Sequence, residues 1–212
     1  MKDYIEESRK HFNGQAKEYD ENTSAYFSGP AKISCEDIRS YLEKIEFSNL
    51  LDIGCGTGWL IQNLQKEHES KYYGIDISEN MLEKAKEKKI PNSDFMLGKS
   101  DKLPYDDETF DIVTCVQSFH HYPDSDKAMK EAYRVLKKDG LYILSDSGVG
   151  GIGKWIDNNL LFKIMKSGDC RVDNREGIAK RMKSHHFDIV RNEKIKGMIY
   201  TVIGKKNIKS KV

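Results

Sequence analysis

The sequence has 212 residues, enough for one domain that buries a hydrophobic core without disulfides or a structural metal. Its 35 lysines and arginines nearly balance its 34 aspartates and glutamates, and the net charge of +1 disfavours a nucleic-acid partner. No apolar run reaches the ~20 residues that a membrane span requires, and the segment Met1–Phe12 lacks the apolar core of a secretion signal. We therefore expect a cytoplasmic protein without a membrane span.

The four cysteines indicate neither a disulfide framework nor a zinc site. Both kinds of site need closely ordered spacings, and the sequence has no CxxC pair. We expect reduced and mostly buried thiols at Cys35, Cys55, Cys115 and Cys170.

Apolar periodicity and glycine punctuation predict an alternating series of helices and strands. The first part comprises a helix over Pro30–Ile45, a strand over Leu50–Ile53, a helix over Trp59–Glu67, a strand over Tyr72–Asp76 and a helix over Ser78–Lys88. The second part comprises strands over Asp94–Leu97 and Phe110–Val116, a helix over Asp124–Leu136, a strand over Leu141–Ser145 opened by Gly140, helical segments over Trp155–Met165 and Arg175–Lys183, and closing strands over Phe187–Asn192 and Met198–Gly204.

Strands that alternate with helices favour right-handed crossovers and parallel pairing. The short connection between the closing strands suits an antiparallel hairpin. The series predicts an α/β fold with a doubly wound, mostly parallel seven-stranded sheet of the Rossmann-like type and a C-terminal antiparallel strand. We expect one domain over residues 1–212.

A glycine loop follows the first predicted strand directly and precedes a helix, in the run LDIGCGTG over residues 51–58. Glycines at such a turn let the backbone approach a ligand closely. The dinucleotide fingerprint GxGxxG would need glycine where Trp59 stands, which argues against a nicotinamide oxidoreductase. The negative charge of Asp52 would repel a diphosphate but suits a ligand with a cationic amine or sulfonium.

The second predicted strand ends in Asp76, about 20 residues beyond the loop, a distance typical of an acid that accepts hydrogen bonds from ribose hydroxyls. Ile77 stands next to it and could lie against an adenine face. Loop, strand and acid together predict a nucleoside-containing ligand.

These residues resemble the class I S-adenosylmethionine-dependent methyltransferases, and in particular the group that includes the ubiquinone and menaquinone biosynthesis methyltransferases. The resemblance covers roughly residues 12–146 and rests on ordered motifs. They are LDIGCGTG at 51–58, GIDIS at 74–78, GKSDKLPY at 98–105, FDIV at 110–113 and RVLKKDG at 134–140. It implies methyl transfer from S-adenosylmethionine to a small-molecule acceptor with an O, N or C nucleophile.

The resemblance also implies a set of cofactor-binding residues. They are Tyr19, Asp52, Gly54, Cys55, Gly56, Gly58, Asp76, Ile77, Met81, Lys99, Ser100, Asp101, Val116 and Gln117. Within this set, Asp52 would face the methionine ammonium through water, and the loop Lys99–Asp101 would edge the adenine. Residues 1–29 would form an N-terminal lid, with Tyr19 closing over the cofactor, and residues 148–173 an acceptor-site insertion.

The adenine loop departs from the family pattern at Lys99. Many relatives have an aspartate there, which accepts a hydrogen bond from the exocyclic amine, and a lysine cannot accept one. Either Asp101 or the backbone takes over this contact, or the adenine is held more loosely.

A histidine pair, His120 and His121, follows the Phe110–Val116 strand at the carboxyl end of the sheet, where ligands of such folds bind. Both are candidate catalytic residues, either as a general base or by positioning the acceptor. We expect no metal site, because adjacent residues rarely point at one ion and no acidic residue is spaced as their partner.

Other functions stay open at this point. The protein could be a non-catalytic regulatory subunit that binds S-adenosylmethionine, although the intact loop and Asp76 argue against a decayed site. It could also methylate RNA or protein. The state of assembly is expected to be a monomer or a homodimer.

Overall fold

The computed structural model describes residues 3–21, 28–148 and 167–207. The helices are α1 (Tyr4–Gln15), α2 (Ser28–Leu42), α3 (Trp59–Leu64), α4 (Glu79–Glu87), α5 (Ser125–Val135) and α6 (Arg175–Ser184), with a 3₁₀ turn at Phe119–His121. The strands are β1 (Asn49–Ile53), β2 (Lys71–Asp76), β3 (Ser93–Leu97), β4 (Phe110–Val116), β5 (Leu136–Ser147), β6 (Phe187–Lys196) and β7 (Ile199–Lys206).

The strands form a single seven-stranded sheet in the order β3-β2-β1-β4-β5-β7-β6. All pairs among β1 to β5 are parallel, and β7 runs antiparallel to both β5 and β6. From β1 the chain adds β2 and β3 on one side, and it then crosses over to add β4 and β5 on the other side. Doubly wound sheets bind ligands at the switch point between β1 and β4. The predicted fold class is confirmed.

Helices cover both faces of the sheet because alternate strand residues point to opposite sides. One core cluster joins Leu50 of β1 and Ile112 of β4 to side chains of α2, α3 and α4. The other joins Leu51 and Val113 to side chains of α5 and α6. Strands buried on both faces explain the continuous apolar runs of β1, β4 and β5.

The helix starts follow from local capping. Ser78 accepts a hydrogen bond from the Met81 backbone N–H at the start of α4, and Asp124 accepts one from Lys127 at the start of α5. The helix α1 was not predicted from the sequence. It begins at the cap Asp3, which accepts from the Glu6 backbone N–H.

Residues 137–139, which precede the predicted strand Leu141–Ser145, lie within β5 instead. Leu136 pairs with Phe110 and Leu141 pairs with Ile112, so a bulge in β5 takes up the residues between them. Asp139, with a φ of 64°, provides the left-handed conformation for this bulge. The strand therefore begins directly after α5.

Several expectations concern residues outside those described. The helical segment Trp155–Met165 lies entirely outside them, and the proposed lid and acceptor-site insertion lie partly outside them. Among the described helices, none has the length and apolar character needed to cross a lipid bilayer.

Candidate active site

The glycine loop after β1 is tied to the end of β2 by backbone hydrogen bonds. The N–H groups of Gly54 and Cys55 donate to the Ile75 carbonyl at 2.8 and 3.1 Å. Gly54, Gly56 and Gly58 all have positive φ angles, of 73°, 52° and 71°. The sequence folds this way because only glycine adopts such angles without strain at successive turns.

Gly54 leaves no room for a side chain at the switch point. A Cβ atom there would lie 2.0 Å from the Ser118 hydroxyl oxygen and 2.9 Å from the Tyr122 hydroxyl oxygen. These hydroxyls form a network, since Ser118 donates to Tyr122 at 2.8 Å and Tyr122 donates to the Ile53 carbonyl at 3.1 Å. The loop and the segment after β4 are therefore in direct contact.

Asp76 lies at the end of β2, and backbone groups hold its carboxylate. One oxygen accepts from the Gly56 N–H at 2.8 Å and the other from the Ser78 N–H at 2.8 Å. Burial raises the pKa of Asp76, while these backbone hydrogen bonds offset part of that effect. Each oxygen keeps a further lone pair for a ligand.

A cleft opens at the carboxyl ends of β1, β2 and β4, with about 910 Å³ of empty space including its mouth. The residues predicted for the cofactor or for catalysis that line it are Tyr19, Gly54, Gly56, Asp76, Ile77, Met81, Lys99, Ser100, Asp101, Val116, Gln117 and His121. These residues come from separate parts of the sequence.

Helix α1 covers one side of this cleft. Asn13 accepts from the Ser78 hydroxyl at 2.6 Å and donates to Glu79 at 3.0 Å, which anchors α1 to the start of α4. The Phe12 ring packs edge-to-face on His121, with ring centroids 5.0 Å apart. The residue Asp20, beyond α1, accepts from the Thr57 hydroxyl of the glycine loop at 2.5 Å.

Gln117 sits directly after β4 with a φ of 46°, an uncommon angle for a residue other than glycine. Its amide donates to Ser34 of α2 at 3.0 Å and accepts from Ser147 at 2.8 Å. Backbone conformations of this kind persist where the surrounding contacts hold them, and they concentrate at functional sites.

The histidine pair points in two directions. His121 lines the cleft, whereas His120 turns away and its Nδ1 lies 2.7 Å from an oxygen of Asp146 in β5. Asp146 is 2 % exposed and also accepts from the backbone N–H groups of His120 and Ser147, at 3.1 and 2.7 Å.

A second carboxylate, Asp169, faces both imidazoles. One of its oxygens lies 3.5 Å from Nε2 of His120 and 3.8 Å from Nδ1 of His121. The histidine pair therefore has an acidic partner, and the expectation from the sequence that it has none is wrong. Asp169 comes from a segment almost 50 residues away along the chain, so local spacing could not reveal it.

The two imidazoles have opposite pKa shifts. Burial lowers the pKa of His120, but the carboxylates of Asp146 and Asp169 outweigh burial and raise it to about 8. Burial lowers the pKa of His121 to about 3, and the neighbouring His120 acts in the same direction.

The part of the chain that forms this cleft is similar to known proteins. Residues 51–144 match the family model described as a methyltransferase domain. The human mitochondrial arginine-hydroxylase NDUFAF5 is 33% identical over 131 residues, 62% of this chain and 35% of that protein. The Chlorobaculum tepidum demethylmenaquinone methyltransferase is 35% identical over 108 residues, 51% of this chain and 44% of that protein. The chain thus spans less than half the length of these curated relatives.

Solved structures agree with the fold. The structure of a SAM-dependent methyltransferase from Aquifex aeolicus superposes with a TM-score of 0.71 at 19% identity, covering 92% of this chain and 98% of that one. The matched residues 51–144 run from the glycine loop to β5 and include the Asp76 strand. Residues 51–144 of this chain are therefore similar to a methyltransferase domain. The Aquifex aeolicus neighbour is SAM-dependent by name, which agrees with the cofactor predicted from the sequence.

Three predicted cofactor residues of the methyltransferase domain do not line the cleft. Asp52 is 2 % exposed beneath the loop and accepts from the Thr114 hydroxyl at 2.7 Å. The Cys55 sulfur packs near Gly74, and Gly58 precedes α3 as its cap. These two residues shape the loop, while His120 is the catalytic candidate that the structure places behind the cleft.

Burial raises the pKa of the Asp52 carboxyl to about 7, and the charge of Asp76 acts in the same direction. The hydrogen bond from Thr114 opposes this rise only in part. The Asp52 side chain points toward β4 rather than into the cleft. It therefore does not face the position predicted for a methionine ammonium.

Other residues that line the cleft were not predicted from the sequence. They are Ile5, Ser8, Phe12, Ile53, Ile75, Gly98, Ser118, Tyr122, Pro123 and Asp124. Those between Ser118 and Asp124 follow the carboxyl end of β4, a position that could have marked them. Ile5 and Ser8 carry no such signal, because α1 reaches the cleft only through tertiary packing.

Proposed function

We propose that this protein transfers the methyl group of S-adenosylmethionine to a small-molecule acceptor by in-line displacement. The observation that carries the proposal is the convergence of the glycine loop, Asp76, the Lys99–Asp101 loop and His121 on one cleft. Methyl transfer from a sulfonium needs mainly approach geometry and exclusion of water, since the donor is already activated.

In this proposal Asp76 binds the ribose hydroxyls through the lone pairs that its backbone partners leave free. Ile77 and Met81 give the adenine an apolar surface, and both line the cleft. Lys99 contributes no acceptor, so the adenine amine is recognised by Asp101 or by backbone oxygens.

The methionine end of the cofactor lies along Gly54 and Gly56, where the backbone approaches without side chains. Val116 and Gln117 line the methyl path, and Tyr19 closes it from the lid. Asp52 acts on the ammonium indirectly in this arrangement, by the field of a buried carboxyl beneath the loop.

The acceptor occupies the side of the cleft formed by α1 and the segment after β4. Ile5, Phe12, Tyr122 and Pro123 give that side an apolar surface, which suits an acceptor with an apolar body. His121 orients the acceptor nucleophile from this wall. His120 is a positioning residue. Its contact with Asp146 holds the His120 ring against His121.

Calorimetry with S-adenosylmethionine, S-adenosylhomocysteine and NAD tests the cofactor assignment. We expect binding of the first two, and tight binding of NAD alone would overturn it. Asp76→Ala should weaken S-adenosylmethionine binding by about 1–3 kcal/mol, because charged hydrogen bonds to the ribose are lost. The matched control is Asp94→Ala, an exposed carboxyl on the neighbouring strand β3, which should leave the affinity unchanged.

A screen that detects S-adenosylhomocysteine release tests the acceptor class. Phenols, quinones, amines and thiols should include at least one turned over by the wild-type chain and not by the Asp76→Ala variant. Cofactor binding without any turnover would favour the regulatory-subunit alternative instead.

A protein acceptor is the second candidate, because a relative that is 33% identical is an arginine-hydroxylase by name. Labelling of proteins by methyl-tritiated cofactor in a cell extract, with no small molecule turned over, would favour it. The cytoplasmic location and the monomeric or homodimeric state stay predictions from the sequence. Gel filtration measures the latter.

A further inference from the structure

The cluster formed by His120, His121 and Asp169 is compact and lies partly buried at the edge of the cofactor cleft. One nitrogen or oxygen from each residue lies within 4.8 Å of the other two. The side chains of His120, His121 and Asp169 are only 20 %, 9 % and 14 % exposed. Three potential ligand atoms thus face one another in a place with little water.

The spacing of these atoms fits an ion between them. Donors about 2.1 Å from one tetrahedral ion are about 3.4 Å apart. The Asp169 oxygen is 3.5 Å from Nε2 of His120 and 3.8 Å from Nδ1 of His121, two separations close to that value. The Ser8 hydroxyl, 3.4 Å from Nδ1 of His121, borders the same space.

Asp146 supplies a second and independent feature of metal sites. A histidine that binds a metal usually donates its other ring N–H to a carboxylate, which fixes the ring and its tautomer. Nδ1 of His120 lies 2.7 Å from buried Asp146, and this contact leaves Nε2 directed to Asp169. Backbone N–H groups hold Asp146 in turn, so the outer support of His120 is rigid.

The charges around the cluster also favour a cation. Asp146 is buried and Asp169 is partly buried, and among the described residues no lysine or arginine nitrogen lies within 4 Å of either carboxylate. At a comparable surface pair, His185 with Asp126, an arginine balances the charge of the carboxylate. There Arg181 lies 2.7 Å from the Asp126 oxygen.

We propose that His120, His121 and Asp169 bind a divalent transition-metal ion such as Zn²⁺ or Fe²⁺ beside the acceptor side of the cleft. Two imidazoles and one carboxylate match the ligand preferences of these ions and leave coordination positions open. His121 lines the cleft, so an open position faces the space where an acceptor oxygen or nitrogen would bind. The inference goes beyond methyl transfer and does not require it.

Direct metal binding tests the site. The full chain, treated with a chelator and dialysed, is titrated with Zn²⁺ alone by calorimetry, and bound zinc is counted by mass spectrometry. We expect one equivalent in the wild type and in the matched control Asp126→Asn, which alters the surface pair. Asp169→Asn should lose this equivalent, and Asp146→Asn should weaken it by about 10–100-fold.

Two readouts keep the result independent of folding and of methyl transfer. Binding of S-adenosylhomocysteine by Asp169→Asn shows that the cleft is intact, because Asp169 does not line it. Co²⁺ added to the wild-type chain should give visible absorption bands of nitrogen and oxygen coordination that Zn²⁺ displaces. Absence of a stoichiometric site and of these bands, or equal zinc binding by Asp169→Asn and Asp126→Asn, overturns the proposal even if methyl transfer is observed.

Discussion

The two edges of the parallel sheet differ in how they treat buried charge. At the carboxyl edge, Asp52 and Asp76 are buried with raised pKa values, and Gln117 has a positive φ. At the opposite edge, Asp111 accepts from Lys137 at 2.7 Å and from the backbone N–H groups of Ser48 and Asn49 at 3.0 and 2.9 Å.

The difference shows which edge is built for stability. At the Asp111 edge the carboxylate has a lysine and two backbone N–H partners. At the cleft edge the fold retains features that cost free energy, and such costs are typical of sites kept open for a ligand. Replacing a carboxyl by an amide should therefore have opposite effects on stability at the two edges.

The largest effect is expected at Gly54. In Gly54→Ala the new Cβ would lie 2.0 Å from the Ser118 oxygen at a φ of 73°. The hydrogen-bonded hydroxyls of Ser118 and Tyr122 cannot both yield, so the free energy of unfolding should fall by about 3–5 kcal/mol. Urea unfolding measures it.

Gly197→Ala is the matched control for that variant. Gly197 has a φ of 58° in the β6–β7 turn, and a Cβ there meets no atom within 4 Å. It should cost only the left-handed strain, about 1–2 kcal/mol. Equal losses in the two variants would mean that the glycine loop is not tightly packed.

The next effect is expected at Asp52 and depends on pH. Its folded pKa of about 7 is above the value of 3.8 for an unperturbed aspartate, so ionisation destabilises the fold progressively as pH rises from about 4 to 7. Asp52→Asn removes this loss and keeps an oxygen for Thr114. The variant should be more stable than the wild type by about 2–4 kcal/mol at pH 8, with the difference vanishing below pH ~4. Denaturant midpoints at both pH values decide this.

The smallest effect, opposite in sign to that of Asp52→Asn, is expected at Asp111. Burial raises the pKa of its carboxyl, but Lys137 and the backbone N–H groups outweigh burial and lower it. The carboxylate therefore stabilises the fold above pH ~4, and this contribution is lost on acidification. Asp111→Asn should reduce the free energy of unfolding by about 1–2 kcal/mol at pH 7 and by less at pH 3. A stabilised Asp111→Asn would remove the contrast between the edges.

The sequence was most informative where structure is local. The apolar runs of β1, β4 and β5 and the caps Ser78 and Asp124 marked elements that the structure contains. The glycine loop and Asp76 were placed in one cleft, because both follow strands that pair in parallel and end at the same edge.

The parts that the sequence could not supply depend on contacts between distant segments. The direction of the Asp52 side chain is set by Thr114 on the neighbouring strand, which strand order alone does not reveal. Asp169 meets the histidine pair only after the chain has folded back across β5. Helix α1 has little apolar periodicity of its own and is held by Asn13 and Phe12 against other elements.

The position of β7 between β5 and β6 has a consequence for how the protein is made. A ribosome releases β1 to β5 and then β6 before β7, so β5 keeps an open row of backbone donors and acceptors and β6 has no partner until then. Val202 and Ile203 of β7 become fully buried only at this last insertion. Chains truncated before Ile199 should therefore engage chaperones and aggregate on dilution from denaturant, whereas the 212-residue chain should complete the seven-stranded sheet.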